Sequence, residues 1–372
     1  MFSSEFQNIS SIFASDDWGS VLETTTRKAL VEFAKTLREL NSHIKANIVT
    51  DCFLAYEIID IVNTVNQRLN QETGELKLPF TDALKPIRDT AKASLPELLE
   101  DQRRRINSLQ TLPIDGAAIP YTTETMTRLQ TLTAYPKSLT SILASLGDGN
   151  WTSAISHPPP STFDVGADGT TLLIHYILDT IEVHISTLET RARGLHRPKA
   201  ITGVLAYNTV ALIDRMIRSS DLATLLSSNT AASQKIDAWR KKASSTYMDS
   251  WKEPCSALLD VVYTNRPSNR PASGSSVPST EIIKALSNKD KDAIKEKFKH
   301  FNGSFDDCVR RHKEMLPGME REVRSALARE IGNMIEPLYS RFFDKYEALD
   351  RGRGKYVRWD KGSLGALLAG LG

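Results

Sequence analysis

The residues with the clearest chemical pattern lie near the C-terminal end of the sequence. In GRGKYVRWDK, residues 352–361, four cationic side chains are interleaved with Tyr356 and Trp359 and accompanied by one carboxylate. Residues 351–361 hold five basic side chains and one acidic side chain, a net charge of +4, whereas residues 1–100 hold 15 acidic and 10 basic, a net charge of −5. This asymmetry predicts that a negatively charged surface binds the C-terminal end.

The sequence lacks the patterns of common catalytic and metal sites. GRGK at residues 352–355 is not a phosphate-binding loop, because Leu349 stands where a glycine is required and Tyr356 where a serine or threonine would follow. The seven histidines form no helical pair around a glutamate, the three cysteines are far apart, and no G-x-S-x-G motif occurs. We therefore expect no enzyme activity, no catalytic residue, no metal site and no cofactor.

The composition excludes some classes of partner. With 47 basic and 45 acidic residues and a pI of about 8.3, the chain lacks the strongly basic character of most nucleic-acid-binding proteins. The odd number of widely separated cysteines is typical of a reduced, intracellular compartment. The most apolar stretch, residues 52–62, is interrupted by Glu57 and Asp60 and is too short to span a bilayer.

Helical periodicity dominates the elements that would position these residues. Apolar residues recur at spacings of three and four, and no stretch alternates with period two. The predicted helices cover residues 18–46, a second helix ending near residue 74, 81–109, 122–146 with a kink or an interruption at Pro136, 172–190, 201–218, 232–263 with a bend at Pro254, and two stripes at 294–309 and 323–346. The sequence predicts an all-α fold, an elongated rod of stacked antiparallel helical bundles.

Two segments rich in proline, glycine and serine divide this helical pattern. They predict loops at residues 156–167 and 266–278. The predicted domains are accordingly an N-terminal bundle at 1–155, a middle bundle at 168–265 and a C-terminal bundle with the basic end at 279–372.

Several stretches resemble the seventy-kilodalton subunit of the exocyst, the exocyst component seven family. They occur in the family's order: PIRDTAKASLPELLED at 86–101, LPIDGAAIPYTTETMTRLQTL at 112–132, LAYNTVALIDRMIRSSDLATLL at 205–226, YMDSW at 247–251, IKEKFKHFNGSFDDC at 294–308 and KYVRW at 355–359. GDGNW at 147–151 and the proline-rich loop after it suggest a fungal member. Since family members are longer, we expect a C-terminal fragment that lacks the N-terminal segment used for complex assembly.

The resemblance implies a fold of the multisubunit-tethering-complex type and a role in tethering secretory vesicles to the plasma membrane. It implies phosphatidylinositol 4,5-bisphosphate, other exocyst subunits and Rho-family GTPases as partners. The composition separately leads us to expect no nucleic acid as a partner. The resemblance also implies a cytoplasmic protein that is peripheral at the inner face of the plasma membrane, at sites of polarised secretion. The alternative function is a protein-interaction module whose basic end and helices bind a Rho-family GTPase or another acidic protein.

The same resemblance supplies candidate lipid-headgroup ligands. A K-Y-x-K-Y pattern of the family aligns with Lys355 and Arg358, and proximity adds Lys361, Arg351 and Arg353. Upstream cations extend the patch if their helices return to the same end, and these are Lys295, Lys297, Lys299, Arg310 and Arg311. The aromatics leave two interpretations open: Tyr356 and Trp359 insert among headgroups, or they cover the end of the helical core.

Overall fold

The computed structural model describes residues 2–73, 80–152, 169–259, 279–350 and 354–372, in which all regular secondary structure is helical. This confirms the predicted all-α class. In chain order the α-helices are α1 Phe2–Ile12, α2 Trp18–Ala46, α3 Ile48–Thr73, α4 Phe80–Ser108, α5 Pro120–Leu132, α6 Pro136–Leu146, α7 Gly169–Gly194, α8 Lys199–Arg218, α9 Leu222–Ser227, α10 Thr230–Met248, α11 Lys252–Leu258, α12 Ser279–Ala285, α13 Asn288–Met315, α14 Arg321–Tyr346 and α15 Lys361–Ala369.

The sequence predicted a change in helix geometry at Pro136 and at Pro254, and the structure agrees with the prediction only at Pro136. The interruption at Pro136 is confirmed, because this residue opens α6, where its missing N–H costs no hydrogen bond. The predicted helix over 232–263 with a bend at Pro254 is wrong about where the helix breaks, and its last residues, 260–263, lie outside the described residues. It ends at Met248, a 3₁₀ turn follows at Asp249–Trp251, and Pro254 lies in the first turn of the separate helix α11.

The chain groups into two compact units. The first comprises residues 1–109, 123–187 and 216–233, and the second comprises residues 110–122, 188–215 and 234–372. The predicted loops that separate the three bundles, 156–167 and 266–278, lie outside the described residues. The three-bundle boundaries therefore stay a prediction.

Buried polar contacts join the helices of the first unit. Tyr56 on α3 is fully buried, and its hydroxyl lies 2.7 Å from Ser94 Oγ on α4. Thr90 Oγ1, also on α4, donates to Asn41 Oδ1 on α2 at 2.7 Å. Because an unpaired buried polar group is costly, these bonds fix how α2, α3 and α4 pack.

A buried histidine in the first unit lies between two carboxylates. His175 on α7 is 5% exposed, and its ring contacts Asp148 through Nδ1 and Asp179 through Nε2, the latter at 3.2 Å. Trp151 Nε1 donates to the same Asp179 carboxylate at 3.0 Å. Burial lowers the pKa of His175, but the hydrogen bonds and charges of Asp179 and Asp148 outweigh burial and raise this pKa above its usual value.

An aromatic seam joins α13 and α14 in the second unit. We use this name for Phe298, Phe301 and Phe305 of α13 with Tyr339 and Phe342 of α14. Ring centroids lie 4.8 Å apart for Phe298–Phe342 and 5.0 Å apart for Phe301–Tyr339. The two apolar stripes predicted for these helices are therefore confirmed as core.

The glycine-rich C-terminal stretch also packs on this core. It forms α15, and Leu364, Leu368 and Leu371 are each 1% exposed. Buried His312 of α13 lies with Nε2 3.0 Å from the carbonyl oxygen of Leu371. The helix was not predicted, because its small residues give it little amphipathic periodicity.

Most of helix α8 belongs to the second unit, and most of its apolar window is buried. Among the described residues it is the one helix long and apolar enough to cross a membrane, yet 67% of its apolar window is buried within the protein. Its Asn208 is fully buried: Nδ2 donates to the carbonyls of Gly116 at 2.6 Å and Gly318 at 3.0 Å, and Oδ1 accepts from the N–H of Glu320 at 3.0 Å. This amide ties two connecting segments to the helix.

A glycine allows α8 to approach α10 closely. A Cβ built on Gly203 would lie 2.6 Å from the backbone nitrogen of Tyr247 and 2.7 Å from its Cα. Only a residue without a side chain fits there, since backbone atoms cannot rotate away.

Replacing Gly203 by alanine should therefore lower the free energy of unfolding by about 1–3 kcal/mol, because α8 and α10 must separate. Gly332 on α14 is the matched control, since a Cβ there meets nothing within 4 Å. Gly332→Ala should be neutral or stabilise by about 0.5–1 kcal/mol. Urea denaturation measures both, and equal effects of the two substitutions would contradict the close-packing explanation.

Replacing His175 by glutamine should destabilise the protein most near pH 6 and least near pH 9. The folded-state pKa lies above the unfolded value of about 6.5, so the stabilisation is complete below that value and is lost as the pH rises through the folded pKa. Urea denaturation of both proteins across this range measures the difference in unfolding free energy.

His184 supplies a control of opposite sign. Burial lowers its pKa to about 4, so its contribution is complete above the unfolded value of about 6.5 and is lost as the pH falls. A His175 effect with the same pH trend as His184→Gln would contradict the carboxylate assignment.

Candidate functional site

The described part of the predicted binding end is held to the helical core by hydrogen bonds. We call residues 354–360 the tip segment. Asp350 is 5% exposed, and its Oδ2 accepts from the N–H groups of Tyr356 at 3.1 Å and Val357 at 3.3 Å. Asn302 Nδ2 on α13 donates to the Tyr356 carbonyl at 2.9 Å. The backbone on both sides of Tyr356 is thereby fixed to the helical core.

The far end of the tip segment is fixed as well. Tyr339 of the aromatic seam donates its hydroxyl to the Trp359 carbonyl at 2.5 Å. Asp360 then caps α15 by accepting from the N–H of Ser363 at 2.7 Å, and this backbone hydrogen bond holds the pKa of the Asp360 carboxyl below its usual value.

The two aromatics of the tip segment pack inward. Tyr356 and Trp359 are half-buried against the core of the second unit, and the Trp359 ring lies 6.3 Å from Phe305 of the seam. Of the two interpretations left open by the sequence, this packing favours rings that cover the end of the core. Insertion into a membrane would require these rings to leave the core.

Three lysines surround the Tyr356 ring. Lys295 and Lys299 of α13 each place Nζ 5.8 Å from the ring centroid, and Lys355 places its Nζ 5.4 Å from it. We call these three residues the lysine cup. Lys355 is a candidate ligand from the C-terminal motif, whereas Lys295 and Lys299 are candidates from the upstream extension. The sequence alone could not show that these residues lie close together. A cation near the face of an aromatic ring is attracted electrostatically by the electrons of that ring.

Carboxylates accompany most of these cations. Lys295 pairs with Asp292 at 2.7 Å and Lys299 with Glu296 at 2.5 Å, and these hydrogen bonds raise the pKa of both lysines. Lys355 is exposed and makes no ion pair with any residue that the structure describes.

The other two described cations of the motif also have carboxylate partners. Arg358 Nη1 contacts Asp306 Oδ2 of α13, and its guanidinium lies 5.0 Å from the Trp359 ring. Lys361 Nζ contacts Asp344 of α14. These carboxylates could not be assigned from the sequence, because each lies on a helix other than the segment that carries its cation.

Three extension candidates lie apart from the lysine cup. Lys297 donates to the Leu259 carbonyl at 2.6 Å, so it serves the contact between α11 and α13. Arg310 pairs with Asp307 and Glu314, and Arg311 donates to Cys308 Sγ at 3.4 Å. Arg310 follows Lys295 by fifteen positions on α13, roughly 22 Å along the helix axis. Arg351 and Arg353 lie outside the described residues.

The described residues were also compared with the requirements of a metal site and of a reactive cysteine. No group of three or more His, Cys, Asp or Glu side chains there could hold a metal ion. The three cysteines are buried, and burial raises the pKa of Cys52 and Cys255 to about 11. Thiols of this kind are poor nucleophiles near neutral pH.

Comparison with known proteins identifies the family. A family model for the C-terminal region of Exo70, an exocyst complex component, matches residues 1–370. The chain belongs to the Exo70 exocyst family. This confirms the family predicted from the quoted motifs.

Two curated proteins similar to this Exo70 family chain come from fungi. It is 49% identical to the exocyst complex protein exo70 of Neurospora crassa and 47% identical to the exocyst complex protein EXO70 of Gibberella zeae. Each match covers 100% of this chain and 59% of the relative. The chain thus spans about three fifths of the length of these relatives.

Solved structures show the same fold. A structure of Saccharomyces cerevisiae Exo70 at 2.1 Å resolution matches with a TM-score of 0.77 at 18% identity, and a crystal structure of the exocyst component Exo70p matches with 0.76 at 17%. Each match covers 100% of this chain and 68% of the other. This structural similarity confirms that the chain has the all-α fold predicted from its sequence.

Replacing Tyr339 by phenylalanine should loosen the tip segment near Trp359 without changing any charge. The substitution removes the hydroxyl that donates to the Trp359 carbonyl and should cost about 1–2 kcal/mol. Hydrogen exchange measured by mass spectrometry should speed up in peptides covering residues 354–363 and stay unchanged in peptides of α2 and α3. Unchanged exchange at 354–363 would contradict the clamp.

Proposed function

We propose that this chain is the C-terminal part of an exocyst subunit that tethers secretory vesicles to the plasma membrane. In this proposal the lysine cup and Arg358 bind the headgroup of phosphatidylinositol 4,5-bisphosphate at the inner leaflet. Lys361 belongs to the same proposed binding surface, and Arg351 and Arg353, which lie outside the described residues, are assigned to it from their proximity in sequence alone. Other exocyst subunits and Rho-family GTPases are partners, and the mechanism is non-catalytic and independent of a cofactor.

The convergence of Lys295, Lys299 and Lys355 on one ring is the observation that carries this proposal. A headgroup with several phosphates offers clustered negative charge, and clustered ammonium groups suit it better than a single lysine does. Each exposed cation near an anionic leaflet adds a modest attraction. Lys295 and Lys299 already pair with Asp292 and Glu296, so the cup attracts the leaflet less strongly than three free lysines would.

Such an affinity favours the membrane without anchoring the protein alone. Several subunits on the same vesicle would raise the effective concentration and make attachment firm. Because the interaction is between exposed charges, salt at physiological strength, with a screening length of about 8 Å, should already weaken it.

Co-sedimentation with vesicles tests the proposal. The Lys355→Glu/Arg358→Glu variant should lose pelleting with phosphatidylcholine vesicles that contain phosphatidylinositol 4,5-bisphosphate, falling at least about tenfold in partitioning, because two attractive charges become repulsive. Vesicles of phosphatidylcholine alone give the background. Circular dichroism verifies that the helical content of the variant is retained.

A matched variant controls for net charge. Lys241→Glu/Arg329→Glu exchanges the same two residue types at exposed positions of α10 and α14. Arg329 precedes Asp344 by fifteen positions on α14, roughly 22 Å from the end that holds the tip segment. This control should pellet like the wild-type protein. Wild-type protein that fails to pellet would contradict lipid binding and favour an acidic protein, such as a Rho-family GTPase, as partner of the basic end.

A further inference from the structure

The two cations of the family pattern differ in what already binds them. Lys355 is exposed and contacts the Tyr356 ring, with no carboxylate partner among the described residues. Arg358 is bound by Asp306, a residue 52 positions earlier on another element, and both side chains are accessible, at 53% and 42% exposure. One ligand candidate is therefore available, and the other is occupied by the protein itself.

The position of the Arg358 side chain follows from the core beneath it. Its guanidinium lies 5.0 Å from the Trp359 ring, and that ring packs against Phe305, the residue before Asp306. The aromatic contact holds the guanidinium close to the carboxylate. The pair is thus a consequence of how the tip segment docks on α13.

An ion pair of this exposure is weak enough for a ligand to break. Exposed pairs are worth little in water, and salt screens them further. A phosphate monoester carries a charge of about −1.5 to −2 and three acceptor oxygens, so it binds a guanidinium more strongly than a single carboxylate does. A bound headgroup must nevertheless displace Asp306 and then tolerate that negative charge nearby.

We propose that Asp306 is an intramolecular competitor that occupies Arg358 and lowers the affinity of the tip segment for phosphorylated inositol headgroups. This inference rests on the proposed function, since it concerns the regulation of the same surface. Lys361 and Asp344 form a second pair of the same kind, between the start of α15 and α14.

Asp306→Asn tests this competition against a neighbouring control. Asp307→Asn makes the same change in net charge one residue away, where the carboxylate pairs with Arg310 instead of Arg358. With phosphatidylcholine vesicles containing phosphatidylinositol 4,5-bisphosphate, Asp306→Asn should raise the partition coefficient about two- to five-fold. Asp307→Asn should change it by less than about two-fold, because its effect acts only at a distance.

The same two substitutions in an Arg358→Gln background separate competition from bulk charge. If Asp306 acts through Arg358, the gain from Asp306→Asn disappears there, and the double variant partitions like Arg358→Gln alone. A gain that persists in this background, or one that Asp307→Asn reproduces, overturns the inference. Circular dichroism and the urea midpoint of each variant show whether folding is preserved.

The outcomes also separate this inference from the function on which it rests. Wild-type protein that does not bind the phosphoinositide vesicles overturns the proposed function and the inference together. Wild-type binding that Lys355→Glu/Arg358→Glu abolishes, with Asp306→Asn no different from Asp307→Asn, supports the proposed function and overturns only the competition.

Discussion

The aromatic seam between α13 and α14 is the interaction on which the candidate site depends. Tyr339 belongs to the seam and also donates the hydrogen bond that holds the Trp359 carbonyl. On α13, successive residues are turned by about 100°, so the helix that buries Phe298 presents Lys295 and Lys299 beside the buried face. Packing of one helix pair therefore fixes both the tip segment and the lysines around it.

The sequence could predict this core because helical periodicity is a local property. The apolar stripes at 294–309 and 323–346 have the spacing of a buried helix face, and both are buried in the structure. Periodicity could not locate the break at Asp249–Trp251, because apolar spacing continues across the 3₁₀ turn and tertiary packing decides where the helix stops. It also missed α15, whose small residues give little contrast between faces.

The sequence could predict which residues belong to the candidate site, but it could not predict how they are arranged in space. Lys295 and Lys355 could be named from the sequence, but sixty positions separate them, and only the packing of the tip segment on α13 brings both to Tyr356. The net charge of +4 counts only residues 351–361 and does not include the side chains of other helices that lie beside this segment. Asp306 and Asp344 belong to that surface and reduce the positive potential a ligand meets.

The clamp changes how binding at this end would work. Because Asp350 and Tyr339 already fix the backbone of the tip segment, a ligand has little chain entropy to remove. Because Tyr356 and Trp359 are half-buried against the core, only part of each ring is exposed for insertion into a bilayer. What remains is charge on long, exposed side chains, each worth little alone. In the proposed function, an end built in this way is suited to reversible binding of an anionic surface, and firm attachment would then come from several such contacts acting together.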